Sequence, residues 1–120
     1  MRPALENDAK LAALAERWFH DEESAPPRNF VFVTASSGLG TGVFIDGHLM
    51  QGASGEGSEF GHIVIYPDGR PCVCGGRGCW EEYASGRALE RLYAECKGAA
   101  PGLTAEDIVR RARAGDPCAL

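Results

Sequence analysis

The sequence lacks any long apolar run, and no stretch of its 120 residues approaches the roughly 20 apolar residues needed to cross a bilayer. This absence excludes a transmembrane protein. Basic residues are outnumbered, with 12 Lys and Arg against 17 Asp and Glu and a net charge of −5. Because the basic residues form no cluster that could follow a phosphate backbone, nucleic acid is excluded as a partner of this chain.

Residues 1–10 lack an apolar segment behind a basic one, which argues against a secretory signal and predicts a cytoplasmic protein. Internal repeats and low-complexity tracts are absent as well. What is there, 44% hydrophobic and 24% charged residues, is typical of a soluble globular chain with room for one domain. In a reducing compartment, its five cysteines are expected to serve metal binding or catalysis rather than disulfides.

An Asn-Asp pair predicts the start of the first helix, because either side chain can cap a helix N-terminus. Apolar residues follow this pair, Asn7 and Asp8, at helical offsets. They form the expected apolar stripe of the helix, which consists of Leu11, Leu14, Ala15, Trp18 and Phe19. Lys10 and Glu16 lie off that stripe.

The middle of the chain predicts a small sheet. A run of β-branched and aromatic residues at 30–33 precedes a glycine-rich loop at 34–42, and residues 43–45 form the next strand. Asp46 and Gly47 are a strong hairpin signal that leads into a short strand at 49–50. A further strand is predicted at 63–66.

Two more helices are predicted near the end of the chain. Ser85 can cap the first, and Thr104 with Asp107 resembles a capping box for the second. One face of the first helix carries Leu89, Leu92, Tyr93 and Cys96. Cys96 is expected to be a core residue and Cys118 a tail residue. Helices at both ends and a sheet in the middle give an α/β fold class.

Three cysteines within eight residues predict a metal site. Three glycines between Cys74 and Cys79 allow the backbone to fold back tightly toward Cys72, and His62 stands ten residues before Cys72. One His and three Cys suit a tetrahedral, structural zinc ion with no position left open for water. Buried free thiols are the alternative interpretation.

The glycine-rich stretch 37–42 opens no helix, so it is neither a Walker loop nor a Rossmann fingerprint. Its N–H groups could bind an anion, or its glycines could serve a tight bend between paired strands. Carboxylates near these loops are Asp8, Glu59, Glu81 and Glu82. Folding of the zinc loop would carry Glu59 and Glu81 toward the same ion, although solvated surface carboxylates are the alternative for each residue taken singly.

Together these motifs resemble the ROK-family sugar kinases, the glucokinases especially, over nearly the whole chain. The matching segments, in order, are Glu6–Ala9, Ser37–Gly42, Glu59–His62, Cys72–Glu81 and Tyr83–Gly86. The resemblance implies the ribonuclease-H-like fold shared with actin and hexokinase, here partial and carrying a zinc-binding loop. It also implies ATP-dependent phosphorylation of a hexose, with glucose favoured, and a homo-oligomer as the assembled state.

The family's residue roles carry over position by position. Asp8 is similar to the catalytic base that takes the proton from the attacking sugar hydroxyl, and a helix dipole would stabilise its charged form. The sugar-binding positions are matched by Asn7, Glu59, His62 and Glu81. Zinc would be held by His62, Cys72, Cys74 and Cys79. The second phosphate loop, which would serve Mg-ATP, is matched by Gly38, Gly40, Thr41 and Gly42.

Some features depart from the family pattern. Lys10 stands where the family often has Asn, Ser58 where Gly is common and Val73 where Gly is usual, but none of these removes a ligand or the base. The family's Asp-x-Gly-Gly-Thr phosphate loop and its adenosine-binding segment do not occur. We therefore expect a single partial kinase domain, with a catalytic-motif helix and loop at 1–29, the sheet and phosphate loop at 30–71, and the zinc loop and helices at 72–120.

The isolated chain is expected to bind nucleotide poorly and to turn over little. Two other functions stay open on the sequence alone. One is a fragment of a sugar-sensing ROK transcriptional repressor, because such repressors share the sugar and zinc motifs. The other is a non-catalytic, zinc-stabilised sugar-binding module.

Overall fold

The computed structural model of the chain describes residues 6–19, 25–98 and 102–119. The chain divides into two compact units. The first consists of Met1–Thr34 and Gly40–Gly61, and the second of Ala35–Leu39 and His62–Leu120. Both helices and strands are present, as the α/β prediction requires, and no helix within the described residues is long and apolar enough to span a membrane.

The first unit combines one helix with a three-stranded sheet. Helix α1 spans Asp8–Trp18, and the strands are β1 (Phe30–Ala35), β2 (Leu39–Ile45) and β3 (His48–Leu49), in the order β1-β2-β3. The last residue of β1 and the first of β2 belong to the second unit. Strands β2 and β3 are antiparallel and are joined by the predicted turn at Asp46 and Gly47.

The predicted glycine-rich loop is shorter than expected, because strand β2 already begins at Leu39 and includes Gly40 and Gly42. A Cβ atom on Gly42 would come within 2.5 Å of the Ala13 Cβ, and one on Gly40 within 2.7 Å of the Ala9 Cβ. The α1 backbone therefore lies directly on β2. Gly40 and Gly42, predicted as loop residues, are therefore strand residues. They leave the face of β2 that packs against α1 without side chains.

The predicted apolar stripe of α1 is wrong, although its start and its cap are correct. The structure buries Ala9, Lys10 and Ala13, whereas Trp18 is 70% exposed and Leu11 is 50% exposed. The reason is steric, since a strand surface made of glycine accepts a helix only through its small residues. Helical periodicity of large apolar residues cannot detect such a face.

The second unit contains the remaining helices, α2 (Glu81–Ala84), α3 (Gly86–Lys97) and α4 (Ala105–Arg113). The predicted caps are confirmed. The Ser85 hydroxyl accepts the Ala88 N–H at the start of α3, and Thr104 forms a capping box with Asp107 at the start of α4. Helix α3 ends at Gly98, which has a left-handed conformation with φ of 62°.

The strand predicted at 63–66 does not form. This segment makes one isolated bridge, from Val64 to Cys79, and the N–H groups of Ile65 and Tyr66 both donate to the Gly78 carbonyl. Two consecutive N–H groups converging on one oxygen bend the backbone away from a ladder, in which successive N–H groups point to opposite sides. The segment is a bent stretch packed on the cysteine-containing loop.

The prediction of unpaired roles for Cys96 and Cys118 is also wrong, because a disulfide joins them. The segment after α4 returns to α3, where Asp116 accepts a hydrogen bond from the Tyr93 hydroxyl at 2.7 Å and lies 2.9 Å from the Lys97 ammonium. These contacts bring the two cysteines to a Cα–Cα distance of 5.7 Å. The two cysteines are 22 residues apart, so local sequence patterns cannot predict that they pair.

The contact between α1 and β2 generates a prediction about packing. Gly42→Ala should lower the free energy of unfolding by about 1–3 kcal/mol, because its Cβ would overlap Ala13 and the Ala9 carbonyl. Denaturant unfolding measures the change. Adding Ala13→Gly to Gly42→Ala should be less damaging than the two single effects added together, and a strictly additive double variant would contradict this contact.

The tail contact generates a prediction about pH. The Lys97 ammonium, the Tyr93 hydroxyl and the Cys118 N–H lower the pKa of Asp116 to about 2. The carboxylate therefore stabilises the fold above its unfolded pKa of about 3.9, and this contribution is lost as the pH falls toward 2. Asp116→Asn should be less stable than the wild type at pH 7, and in unfolding experiments most of this difference should be lost as the pH falls from about 4 to about 2. A difference that is independent of pH would contradict this ionic role.

Candidate functional site

Asn7 and Asp8 occupy the start of α1, as predicted. The Asn7 side-chain oxygen accepts the N–H groups of Ala9 and Lys10 at 2.9 and 3.2 Å, so it is the helix cap. Asp8 is exposed, and its carboxylate accepts the Ala9 N–H at 2.8 Å. The helix dipole favours a negative charge at this position. Asp8 therefore presents a carboxylate to solvent from a rigid backbone.

The structure brings Asn7 and Glu59 together. The Asn7 amide donates to a Glu59 carboxylate oxygen at 3.2 Å, although the two residues lie 52 positions apart. Both line an open cavity of about 390 Å³ whose other lining residues are Glu6, Ser54, Gly55 and Glu56. This wall of carboxylate, amide and hydroxyl groups offers the hydrogen-bond partners that a polyhydroxylated molecule needs.

Thr41 has a structural task in the first unit. Its side chain is buried, and its hydroxyl donates to the Ser58 carbonyl and accepts the Phe60 N–H at 3.1 Å. Gly40 and Gly42 face α1 across the close contact described above. The two hydrogen bonds of Thr41 hold Ser58 and Phe60, the residues on either side of Glu59. The phosphate-binding role of Gly40, Thr41 and Gly42 stays a prediction.

In the second unit, Gly38 and Glu81 lie together. The Leu39 N–H donates to a Glu81 carboxylate oxygen at 2.9 Å, and a Cβ on Gly38 would come within 2.8 Å of that same oxygen. Glycine at 38 therefore leaves room for the carboxylate. Glu81, at the first residue of α2, thereby anchors the turn between β1 and β2.

The predicted metal ligands also come together in the second unit. One ligand atom from each of His62, Cys72, Cys74 and Cys79 lies within 4.8 Å of all the others. The loop folds back through hydrogen bonds from the Cys72 N–H to the Gly76 carbonyl and from the Gly75 N–H to the Cys72 carbonyl, each 3.0 Å long. Gly75 has a φ of 88°, which favours glycine.

The spacing of these ligand atoms fits a tetrahedral zinc ion. Zinc bonds of about 2.3 Å to sulfur and about 2.05 Å to nitrogen separate two sulfurs by about 3.8 Å and a sulfur from a nitrogen by about 3.6 Å. The Sγ atoms of Cys74 and Cys79 are 3.6 Å apart, and the Cys72 Sγ is 3.5 Å from the His62 Nδ1. These two distances are close to those expected between ligands of one zinc ion, and the other ligand atoms lie within 4.8 Å of one another.

Two thiols of this cluster have shifted pKa values. Burial raises the pKa of the Cys79 thiol to about 12, whereas a hydrogen bond from the Gly76 N–H lowers the pKa of Cys74. Thiolates are the metal-binding form of cysteine, so a cation at this site would have to offset the cost of burial at Cys79. That cost is typical of closed structural sites rather than of exposed reactive cysteines.

Two residues with important positions are missed by the sequence interpretation. Lys10 is completely buried, and Ser58 has a φ of 72° while its hydroxyl donates to the Met50 carbonyl at 2.8 Å. A usable signal for the face of α1 was present, because Ala9 and Ala13 are four residues apart and match the alternate glycines of β2. Nothing local in the sequence indicates where the Lys10 ammonium ends.

The chain also matches known proteins. The ROK family profile matches residues 2–120. The chain is 45% identical over 97 residues to the glucokinase of Streptomyces coelicolor, an alignment that covers 81% of this chain and 30% of that protein. It is 44% identical over 85 residues to the xylose repressor of Bacillus subtilis, which covers 71% of this chain and 22% of the repressor.

A solved structure is also similar. A ROK family glucokinase from Streptomyces griseus, in complex with glucose and AMPPNP, matches with a TM-score of 0.81 and 38% identity over 96% of this chain and 41% of that one. This similarity confirms the predicted hexokinase-like α/β fold class. The chain spans less than half the length of each of these proteins. With a profile match over nearly its whole length and these relatives, the chain belongs to the ROK family.

Proposed function

We propose that this chain is the sugar-binding and zinc-binding part of an ATP-dependent hexose kinase. The observation that carries the proposal is the exposed Asp8 carboxylate at the start of α1, directly beside Asn7, whose amide reaches Glu59. A base held next to hydroxyl-binding groups is what sugar phosphorylation requires. The similarity to glucokinases of Streptomyces supports glucose as the favoured hexose.

Asp8 would accept the proton of the attacking sugar hydroxyl. Its position at the first residue of α1 suits this role, because it presents an exposed carboxylate oxygen directly beside the Asn7 amide. Asn7 and Glu59 would bind neighbouring hydroxyls. Their mutual hydrogen bond at 3.2 Å fixes both side chains before a sugar arrives, which reduces the entropy lost on binding.

In the second unit, His62 and Glu81 would contact the sugar. The Nδ1 atom of His62 faces Cys72, which leaves Nε2 for a hydroxyl, and Glu81 would offer the carboxylate oxygen that does not accept the Leu39 N–H. Zinc, when bound, supplies no chemistry to the reaction but stabilises the loop. Cys72, Cys74 and Cys79 would hold it with His62 and thereby orient the imidazole.

Phosphoryl transfer needs positioned groups and neutralised charge rather than covalent catalysis by the protein. We propose that Gly38, Gly40, Thr41 and Gly42 serve the phosphates of Mg-ATP. The turn that contains Gly38 is tied to Glu81, and the Thr41 hydroxyl is already bonded to the Ser58 carbonyl. Contacts to phosphate from this stretch would therefore come from backbone N–H groups. We also propose a cytoplasmic homo-oligomer.

A sugar-sensing repressor is the second candidate, favoured by the 44% identity to the xylose repressor of Bacillus subtilis. A repressor would use the same sugar groups without transferring phosphate. ATP-dependent phosphate transfer, not sugar binding, therefore separates the two functions. A non-catalytic, zinc-stabilised sugar-binding module would likewise bind sugar without transferring phosphate.

The sugar site generates a prediction about affinity. The 120-residue chain should bind glucose, and Asn7→Ala should weaken that binding by about tenfold or more, because a hydrogen-bond partner of a sugar hydroxyl is lost. Isothermal calorimetry with glucose, galactose and xylose measures both affinity and selectivity. The absence of binding to every sugar would contradict the proposed function.

The base generates a separate prediction. In a polypeptide extended to the length of the curated relatives, Asp8→Asn should lower kcat by at least about a hundredfold, because an amide cannot accept the proton. Glucose affinity should stay within about twofold, because the helix and its Asn7 cap remain. Asp68→Asn, an exposed aspartate in a turn, is the matched control. Equal activity of the two variants in a coupled ATP assay would rule out Asp8 as the base.

The cysteine cluster generates a prediction about metal content. The purified chain should contain one zinc ion, and Cys74→Ser should lose it together with thermal stability, since structural zinc contributes folding free energy. Elemental analysis and thermal unfolding with and without a chelator measure the two effects. Cys118→Ser, which removes a cysteine outside the cluster, should retain zinc. A well-folded wild type without zinc would overturn the site.

A further inference from the structure

Lys10 is the one charged residue among the fully buried side chains of the described ranges, with an exposed fraction of 0%. It lies in the first turn of α1, three residues after the Asn7 cap. Its ammonium group donates to the Gly55 carbonyl and lies 4.0 Å from a Glu6 carboxylate oxygen. A lysine in the helix is thus used as a tie between α1 and a distant loop.

Burial of an ammonium group is costly, and a neutral apolar side chain of similar length would fill the same space more favourably. Burial alone therefore gives no reason for a lysine at this position. An apolar residue could make neither the hydrogen bond to Gly55 nor the 4.0 Å ion pair with Glu6, and of these two contacts the one to Gly55 reaches a distant loop. The role of Lys10 therefore depends on the contacts of its ammonium group.

The loop that Lys10 reaches connects β3 to Glu59 and contains no helix or strand over residues 50–59. Its base is closed by hydrogen bonds from the Gly57 N–H to the Gln51 carbonyl at 2.7 Å and from the Ser58 hydroxyl to the Met50 carbonyl at 2.8 Å. The tip, residues 52–56, includes Gly52 and Gly55, both with positive φ. Among the described residues, Lys10 is the side chain that binds the backbone of this tip.

This loop tip forms part of the cavity that holds the predicted sugar-binding groups. Ser54, Gly55 and Glu56 line it together with Asn7 and Glu59. Lys10 therefore joins the helix that presents Asn7 to the loop that faces it. Lys10 is not itself a lining residue of the cavity, but it bonds to one, Gly55.

We propose that Lys10 is a positioning residue that holds the loop tip 52–56 as one wall of the sugar cavity and thereby sets sugar affinity. The proposal rests on the proposed sugar-binding function. Lys10 does not touch the sugar. It acts by removing the freedom of a glycine-containing loop before binding, so that the sugar does not have to order this wall itself.

The test replaces the ammonium but keeps the bulk of the side chain. Lys10→Met should raise the Kd for glucose by about tenfold or more, because the loop tip 52–56 is no longer held in place as a wall of the cavity. Hydrogen exchange at the amides of residues 52–56 should become at least about tenfold faster. The thermal unfolding midpoint should not fall, because methionine fills the same space without burying a charge. Calorimetry and exchange mass spectrometry are both done on the complete 120-residue chain.

Arg17→Met is the matched control. Arg17 is also a cation on α1 that binds a backbone carbonyl, that of Pro27 at 3.0 Å, but it does not reach the 52–56 loop. This variant should leave both the glucose Kd and loop exchange at wild-type values. Lys10→Arg, which can still donate to Gly55, should recover much of the affinity. If Lys10 were purely structural, Lys10→Met would instead lower the unfolding midpoint and leave the exchange pattern of the loop unaltered.

The outcomes separate this inference from the proposed function. If the wild type binds no sugar, the proposed function is wrong and sugar affinity is not what Lys10 sets. If the wild type binds glucose but Lys10→Met binds equally well, the function stands and the role of Lys10 is overturned. Unchanged exchange at 52–56 in Lys10→Met overturns it too. Weaker binding together with faster loop exchange and an intact fold supports it.

Discussion

The close approach of α1 to β2 is the constraint on which the first unit depends. Gly40 and Gly42 present no side chains to the helix, and Ala9 and Ala13 present only methyl groups to the strand. Because the backbones meet at this distance, the first turn of α1 lies at a fixed height above the sheet. The positions of Asn7 and Asp8 at the start of α1 therefore depend on that contact, which is possible because Gly40 and Gly42 have no side chains.

The second unit is organised by polar and sulfur contacts rather than by a large apolar core. Three cysteines of a glycine-rich loop come together with His62 as a candidate metal site, and a carboxylate from α2 holds the turn that leads into β2. Arg70 adds a double ion pair to Glu95, at 2.9 and 2.6 Å, which joins the loop to α3. Each of these contacts requires a specific geometry and buries little apolar surface. Zinc would add the free energy that so little buried apolar surface cannot supply.

The sequence predicts those features that a few neighbouring residues determine. Asn7 and Ser85 cap their helices because the capping group and its N–H partners lie within three residues of each other. The cysteine cluster is predictable as well, because its three cysteines fall within eight residues around closely spaced glycines. The buried face of α1 and the Cys96 disulfide depend on segments that are distant in sequence, and pattern alone could not supply them. Helical periodicity puts Lys10 off the apolar stripe because lysine is a charged residue. Its burial depends instead on a distant partner for its ammonium group, the Gly55 carbonyl.

The disulfide between Cys96 and Cys118 encloses α4 and the connection that precedes it in a covalent ring. A chain cut at a single peptide bond inside this ring would still be one molecule, with both pieces attached through sulfur. Non-reducing electrophoresis would show no loss of mass from such a cut, whereas reduction would release two fragments. The end of the chain can thus lose its backbone continuity while α4 stays covalently linked to α3.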